Sequence, residues 1–278
     1  MKPPPRSRAR QSLAFERLLL FTLVWASWQT GWRAWTFATT MAADESAESQ
    51  VGATLEQVQK EWDDSAANWD RGFMGMMVRN FNAEAERTVR AAAAEVLGSG
   101  KATQLLDFGC GTGQLSLALH KDVGSVLAVD LAPKMIAELE AKVAKQEVGN
   151  VKTWCGDVVT GEIPSPNDAF DLVISGSVLT FAPDLPATLR RLAELTKPGG
   201  VGVHFLFGGP KGEAGNVRPR GRTTDLGYPD GMSDAQIQDE MAASGQTVET
   251  IGTLTVPMIH RFVPFLNMKW QYVVVRKM

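Results

Sequence analysis

The stretch LLDFGCGTG, which runs from Leu105 to Gly113, decides the fold of this chain. Its apolar start predicts a buried strand, and the three glycines that follow predict a sharp turn into a helix. Glycine allows the backbone to turn tightly and allows a ligand to approach it closely. In an open parallel sheet, ligands bind beyond the carboxyl ends of the strands, which is where this loop would lie.

Strand and helix patterns alternate after this loop. The pattern predicts further strands at 125–130, 151–155, 170–175 and 201–207, helices at 113–120, 133–147 and 186–196, and closing strands at 247–256 and 269–276. Alternation of this kind implies a parallel sheet with helices on both faces. We therefore expect the α/β class, with a seven-stranded, mostly parallel sheet.

Two helices are predicted before the loop. Thr54 and Gln57 have the spacing of a capping box, which predicts a helix that runs through Trp62. Asn82 is a favoured N-cap residue and predicts a second helix over 83–97, which Gly98 would end.

Carboxylates lie at the ends of the second and third predicted strands. Asp130 ends the second strand, where a carboxylate can accept hydrogen bonds from both ribose hydroxyls of a nucleotide. Asp157 follows the third strand, at the same edge of the sheet, where it could accept from an adenine amino group. A dinucleotide-binding loop requires the pattern G-x-G-x-x-G. Here the third glycine, Gly113, comes one position too early, and Gln114 stands where the pattern requires glycine. An NAD(P) dehydrogenase is therefore disfavoured.

Three segments together resemble the class I S-adenosylmethionine (SAM)-dependent methyltransferases, most closely the small-molecule type 11/25 group. They are DFGCGTG (Asp107–Gly113), VDLAPKM (Val129–Met135) and LTKPGG (Leu195–Gly200). The resemblance extends from about Leu55 to the C-terminus. It implies a Rossmann-like fold, SAM as the cofactor, and methyl transfer to a small-molecule acceptor by direct in-line displacement.

The resemblance also implies which residues hold the methionine end of SAM. Asp107 and the backbone of Gly109 and Gly111 would bind it, and Cys110 lies inside the same loop. Ser175, at the end of the fourth strand, would lie beside the sulfonium and its methyl group.

The adenosine end is assigned to residues after the second and third strands. Asp130 would bind the ribose, Leu131 and Val158 would pack on the two faces of the adenine, and Asp157 would contact its amino group. The segment with Trp62 and Trp69 resembles the part of the family's N-terminus that folds over the cofactor as a lid.

Catalytic chemistry is harder to assign. His260 is a weak candidate for a base, and the catalytic residue is otherwise unknown. Two alternatives stay open beside the small-molecule enzyme: a protein-directed methyltransferase, and a SAM-fold binding or scaffold module without catalysis.

Charge and composition disfavour some classes of partner and of site. The net charge is −3, and basic residues are concentrated before Asp44, so the remaining chain is acidic and no nucleic-acid partner is expected. Two cysteines and three scattered histidines match neither a disulfide framework nor a metal site.

The first 43 residues are predicted to be a separate segment. A basic start precedes the apolar run from Leu18 to Trp28, which is shorter than the roughly 20 residues that span a membrane. Organelle targeting (plastid or mitochondrion) by a transit peptide is favoured, and membrane contact through the tryptophan-rich stretch is the alternative. Residues 44–53 are predicted to be a linker, and 54–278 the methyltransferase domain.

Overall fold

The computed structural model describes residues 54–99, 102–164, 170–206, 233–257 and 267–278. In these ranges, seven strands form one sheet. They are β1 (Gln104–Phe108), β2 (Ser125–Asp130), β3 (Val151–Cys155), β4 (Phe170–Gly176), β5 (Thr196–Leu206), β6 (Gln246–Pro257) and β7 (Asn267–Lys277). The predicted α/β class and seven-stranded sheet are confirmed.

The strand order is β3-β2-β1-β4-β5-β7-β6. β1 to β5 are parallel, and β7 pairs antiparallel with both β5 and β6. From β1 the chain continues to β2 and β3 on one side, then returns to β4 on the other side of β1. The topological switch point therefore lies between β1 and β4, where the carboxyl ends of the strands leave a crevice for a ligand.

Helices cover both faces of the sheet. They are α1 (Leu55–Trp69), α2 (Gly72–Ala92), α3 (Ala94–Leu97), α4 (Gln114–Leu119), α5 (Pro133–Lys145), α6 (Leu185–Leu195) and α7 (Asp234–Ala243). Val89 of α2, Leu119 of α4 and Leu139 of α5 belong to one buried cluster, whereas Leu189 of α6 and Ile237 of α7 belong to another. Because both faces are buried, the inner strands are nearly continuous apolar runs.

The helix ends follow local capping chemistry. Thr54 and Ser233 form complete capping boxes with the glutamines three residues later, at the starts of α1 and α7. Asp184 accepts a hydrogen bond from the Ala187 amide (2.9 Å) at the start of α6, and Pro133 occupies the first turn of α5.

One helix start differs from its prediction. α2 begins at Gly72 rather than after Asn82, which lies inside the helix. The Asn82 side chain donates to the Val78 carbonyl oxygen one turn earlier (2.8 Å), so the amide is satisfied without capping. The start at Gly72 has no side-chain cap, and Phe81 is buried on the face that the longer helix turns to the core.

The predictions for residues 1–53 lie outside the described residues. Among the described helices, none is long and apolar enough to cross a membrane.

Candidate functional site

The glycine-rich loop turns sharply at the carboxyl end of β1. Gly109, Gly111 and Gly113 all have positive φ angles, of 67°, 53° and 78°. The amides of Gly109 and Cys110 both donate to the Val129 carbonyl oxygen (2.8 and 3.0 Å), which holds the loop against the end of β2. These conformations need glycine because a Cβ atom disfavours the left-handed region.

The two sides of this loop have different surroundings. A Cβ atom at Gly109 would lie 2.4 Å from Val178 Cγ2, so the turn after β4 packs directly on the loop. A Cβ at Gly111 would meet nothing closer than Trp69 Nε1, at 3.9 Å. The backbone at Gly111 is therefore the part of the loop that a ligand can approach.

Asp130 connects this open backbone to β2. Its Oδ2 accepts from the Gly111 amide (2.8 Å) and its Oδ1 accepts from the Ala132 amide (2.9 Å). Burial raises the pKa of the Asp130 carboxyl, although hydrogen bonds from backbone amides oppose this effect. Each oxygen keeps a further acceptor position, and the next residue, Leu131, is half-buried.

Asp107 lies below the loop rather than in the crevice. It is only 1% exposed, and its Oδ2 accepts a hydrogen bond from the Ser116 hydroxyl (2.6 Å). Burial raises the pKa of Asp107 to about 6, against hydrogen bonds from the Ser116 side chain and backbone amide that lower it. Asp107 thereby caps α4, whose N-cap residue Gly113 provides no side-chain oxygen.

This position bears on the predicted contact between Asp107 and the methionine end of SAM. The carboxylate bonds to Ser116 on the helix that supports the loop, and its contact with the methionine end stays a prediction. Ser116, buried on α4, is the partner that the sequence prediction missed. Cys110 is half-buried in the loop, and burial raises the pKa of its thiol well above the usual range, which keeps the thiol neutral.

Asp157 and Val158 lie in the turn after β3. The Asp157 carboxylate accepts from the Val159 amide (3.0 Å) and from the Thr160 hydroxyl (2.7 Å), which is a local turn. Val158 is 2% exposed and belongs to the buried cluster below α6. Asp157 is therefore at the predicted edge, whereas the Val158 side chain faces the core.

Ser175 is buried at the carboxyl end of β4. It is 0% exposed, and its Oγ lies 2.9 Å from Nδ1 of His204, its neighbour on β5. Burial lowers the pKa of His204 to about 4, so the imidazole is neutral near pH 7. Ser177, two residues after Ser175, has a φ of 62°, and its buried hydroxyl oxygen has no hydrogen-bond partner.

Helix α1 contacts both sides of the crevice. The Trp62 and Trp69 rings meet edge to face with centroids 5.2 Å apart, and Trp62 makes a similar contact with Phe181 after β4 (5.1 Å). At the other end, the Trp69 indole nitrogen faces the Gly111 backbone. The helix therefore reaches from the glycine-rich loop to the turn after β4, which is the position of a lid.

Comparison with known proteins agrees with this geometry. Residues 105–200, which contain the glycine-rich loop, Asp130 and the end of β4, match the model of a methyltransferase domain family. Over this segment the chain is similar to methyltransferase domains.

Curated relatives match the chain over part of their length. The chain is 31% identical over 137 residues to malonyl-[acyl-carrier protein] O-methyltransferase of Paenibacillus sp. (strain JDR-2), covering 46% of this chain and 50% of that protein. It is 31% identical over 154 residues to demethylmenaquinone methyltransferase of Staphylococcus aureus (strain JH9), covering 54% of this chain and 60% of that protein. The match thus spans about half of each relative.

A solved structure shows the same fold. Magnesium protoporphyrin IX methyltransferase from Synechocystis PCC 6803, crystallised with bound SAM, superposes with a TM-score of 0.59 at 17% sequence identity. The superposition covers 83% of this chain and 100% of that chain. The Rossmann-like methyltransferase fold therefore extends beyond residues 105–200.

Asp70 contacts the glycine-rich loop, although the sequence interpretation did not single it out. It follows Trp69 and accepts hydrogen bonds from Thr112 and Gln114 in the glycine-rich loop and from Lys142 on α5. Burial opposes ionisation of Asp70, but the hydrogen bonds and the charge of Lys142 outweigh it and hold the pKa below its usual range. Its position directly after the lid tryptophans was the available signal.

The site groups most of the predicted cofactor residues at one edge of the sheet. The Gly111 amide bonds directly to Asp130, and the Gly109 amide bonds to the neighbouring Val129 carbonyl oxygen, whereas Asp107 and Ser175 are buried. His260 lies outside the described residues. In the described ranges, no group of three or more His, Cys, Asp or Glu side chains is placed to hold a metal ion.

Proposed function

We propose that this chain is a SAM-dependent methyltransferase that acts on a small-molecule acceptor. One observation carries the proposal: the Asp130 carboxylate is bonded to the open Gly111 backbone at the switch point, and the tryptophans of α1 lie over it. A carboxylate beside approachable loop backbone can bind a ribose and the chain attached to it. Aromatic rings above the site can exclude water from it.

The residues around the crevice would bind SAM and orient it. Asp130 has acceptor positions left for the ribose hydroxyls, and the loop backbone near Gly111 would face the methionine end. Leu131 would pack on the adenine, and Asp157 would contact its amino group. Trp62 and Phe181 would close the crevice above the turn that follows β4.

SAM would supply a methyl group on a sulfonium: the acceptor's lone pair forms a bond to the methyl carbon while the S–CH3 bond breaks and leaves its electron pair on sulfur, which gives neutral S-adenosylhomocysteine. Since the sulfonium charge disappears in this step, the residues contribute mainly by aligning the two partners and excluding water. Val178 packs on Gly109 at the junction of the loop and the turn after β4.

Names of the relatives support the choice of acceptor class. Demethylmenaquinone and magnesium protoporphyrin IX, after which two of the similar proteins are named, are small molecules. Malonyl-[acyl-carrier protein], the third name, presents a small acyl group on a carrier. The two alternative functions are a protein-directed methyltransferase and a non-catalytic SAM-binding module. The experiments below distinguish them from the small-molecule enzyme.

The first experiment is calorimetric titration of SAM into the full chain and into Asp130→Ala. We expect micromolar binding by the wild type and a loss of about 10- to 100-fold or more in the variant, because a buried hydrogen-bonding carboxylate is removed. Asp64→Asn, in an exposed ion pair on α1, is the matched control and should bind like the wild type. Absence of binding by a folded wild type contradicts the proposal.

The second experiment separates the acceptor classes. The chain is incubated with methyl-labelled SAM and a cell extract, and the label is followed into small molecules and macromolecules. Label in the small-molecule fraction that disappears with Asp130→Ala supports the proposal. Label in protein instead points to the protein-directed enzyme, and binding of SAM without transfer points to the non-catalytic module.

We also propose that residues 1–43 direct the protein to an organelle. The support is the basic, acid-poor composition and the apolar run Leu18–Trp28. A fluorescent fusion of residues 1–53 should enter a plastid or mitochondrion, and the mature N-terminus should lie near residue 43 by mass spectrometry. An uncleaved fusion at a membrane would indicate the tryptophan-rich anchor instead.

A further inference from the structure

Asp70 joins three parts of the site through one carboxylate. Its Oδ1 accepts hydrogen bonds from Thr112 Oγ1 (2.9 Å) and from Gln114 Nε2 (2.6 Å), and its Oδ2 accepts from Lys142 Nζ (2.5 Å). The Lys142 ammonium also donates to the Thr112 carbonyl oxygen (2.7 Å). Asp70 and Lys142 side chains are each 27% exposed, so water screens the ion pair only partly.

The two loop partners of Asp70 lie on either side of Gly113. Thr112 is the last residue before this left-handed glycine, and Gln114 is the first residue of α4. A single oxygen that binds both side chains fixes the turn from the loop into the helix. The backbone of Gly111, which is the approachable part of the loop, lies directly before this fixed turn.

The same residue ends the lid. Asp70 is the C-cap of α1, directly after Trp69, and α1 is also attached near its middle, where Asp63 accepts from the Lys134 amide at the start of α5 (2.8 Å). When α1 leaves its position, the Asp70 carboxylate must leave Thr112, Gln114 and Lys142 as well. The glycine-rich loop would then lose bonds that hold it from outside the sheet.

We propose that Asp70 is a positioning residue that couples the docking of α1 to the conformation of the glycine-rich loop. The role in binding rests on the proposed function, because it concerns the affinity for SAM. Docking of α1 completes the loop, and the completed loop binds the cofactor tightly. Release of the cofactor requires the Asp70 cluster to open together with the Trp62–Phe181 contact.

A matched control lies on the same helix. Lys60 and Asp64 form an ion pair one turn apart (2.7 Å), and their side chains are 76% and 60% exposed. Asp64→Asn therefore removes one acidic charge and one ion pair from α1 without touching the loop. Asp70→Asn removes the same charge, retains the side-chain size, and weakens the bond to Lys142.

The coupling is tested without any ligand by hydrogen exchange on the full-length wild type, Asp70→Asn, Lys142→Met and Asp64→Asn. We expect Asp70→Asn and Lys142→Met to raise exchange at least about threefold in peptides from both α1 and residues 109–116. Asp64→Asn should leave the loop unchanged. Faster exchange in α1 alone, or in neither segment, overturns the proposal.

The effect on binding is tested by SAM titration and by the SAM dissociation rate, followed by tryptophan fluorescence. We expect Asp70→Asn and Lys142→Met each to weaken SAM binding about tenfold, mainly through faster dissociation. The double variant should lose little more than either single variant, because both belong to one cluster. An affinity of Asp70→Asn equal to that of the wild type overturns the positioning role.

Failure of the two proposals can be told apart. If the folded wild type does not bind SAM, the proposed function is contradicted, and the exchange of the loop in Asp70→Asn still decides the coupling. If the wild type binds SAM and Asp70→Asn behaves like Asp64→Asn, the proposed function stands and the coupling is overturned.

Discussion

At the scale of single residues, the site rests on carboxylates that do different work at the same edge. Asp130 faces the open loop backbone, Asp107 caps α4 from below, and Asp157 closes its own turn. The residue type alone cannot separate these roles, because an Asp before a glycine-rich loop can bind a ligand or a helix N-terminus equally well. The separation comes from Ser116, which the fold brings under the loop.

The buried Asp107 predicts a pH dependence of stability. Its folded pKa of about 6 lies above the ordinary value of 3.8, so the folded state holds the proton more tightly than the unfolded state. This contribution to stability is complete below about pH 4 and is lost as the pH rises through about 6. Between pH 4.5 and 7.5, the wild type should therefore lose roughly 1–3 kcal/mol relative to Asp107→Asn.

Urea unfolding of both proteins at several pH values measures this difference. Subtracting one curve from the other removes the contribution of the titrating groups that do not interact with Asp107. Parallel curves for the wild type and Asp107→Asn would show that the Asp107 carboxyl has its ordinary pKa in the folded chain.

Ser177 gives a second prediction at this scale. It has a positive φ of 62°, which disfavours any residue with a Cβ atom, and its buried hydroxyl has no hydrogen-bond partner. Ser177→Gly should be about 1 kcal/mol more stable than Ser177→Ala, since both remove the hydroxyl but only glycine relieves the backbone. Thermal unfolding of the two variants checks this, and equal midpoints would contradict the strain.

At the scale of elements, the sequence defined the strands better than the lid. β2 and β3 were predicted to the residue: the apolar run of β2 ends at Asp130, and β3 ends at Cys155, before Gly156. The start of α2 was missed because no side chain caps it at Arg71. The role of Asp70 could not be predicted, because its partners Thr112 and Lys142 are distant in sequence and meet it only after α1 docks.

The docking of α1 predicts unequal effects of two adjacent acids. Asp63 caps the start of α5 by accepting from the Lys134 amide, whereas Asp64 pairs only with Lys60 in solvent. Asp63→Ala should lower stability by about 0.5–1 kcal/mol, because α5 has no side-chain cap of its own. Asp64→Ala should leave stability nearly unchanged, because water screens its exposed ion pair with Lys60. Equal losses in urea unfolding would show that Asp63 does not cap α5.

At the scale of the whole molecule, the site is assembled from segments throughout the described domain. The loop follows β1, Asp130 ends β2, the turn with Ser177 follows β4, and the lid comes from α1. These segments come together only at the edge of the sheet where the carboxyl ends of its parallel strands lie. A ligand that contacts all of them binds the folded chain and not the unfolded chain, so binding must stabilise the entire domain.

The last prediction measures that stabilisation. At a SAM concentration about 100 times the dissociation constant, the folded state gains about 2.7 kcal/mol, which for a domain of this size corresponds to roughly 5–10 °C in the unfolding midpoint. The wild type and Asp64→Asn should show the full shift, and Asp130→Ala should show almost none. A smaller shift is expected for Asp70→Asn at the same SAM concentration, because its affinity is lower. An unchanged shift in Asp130→Ala would mean that SAM binds away from the edge where β1, β2 and β4 meet, and the site would have to be sought elsewhere on the chain.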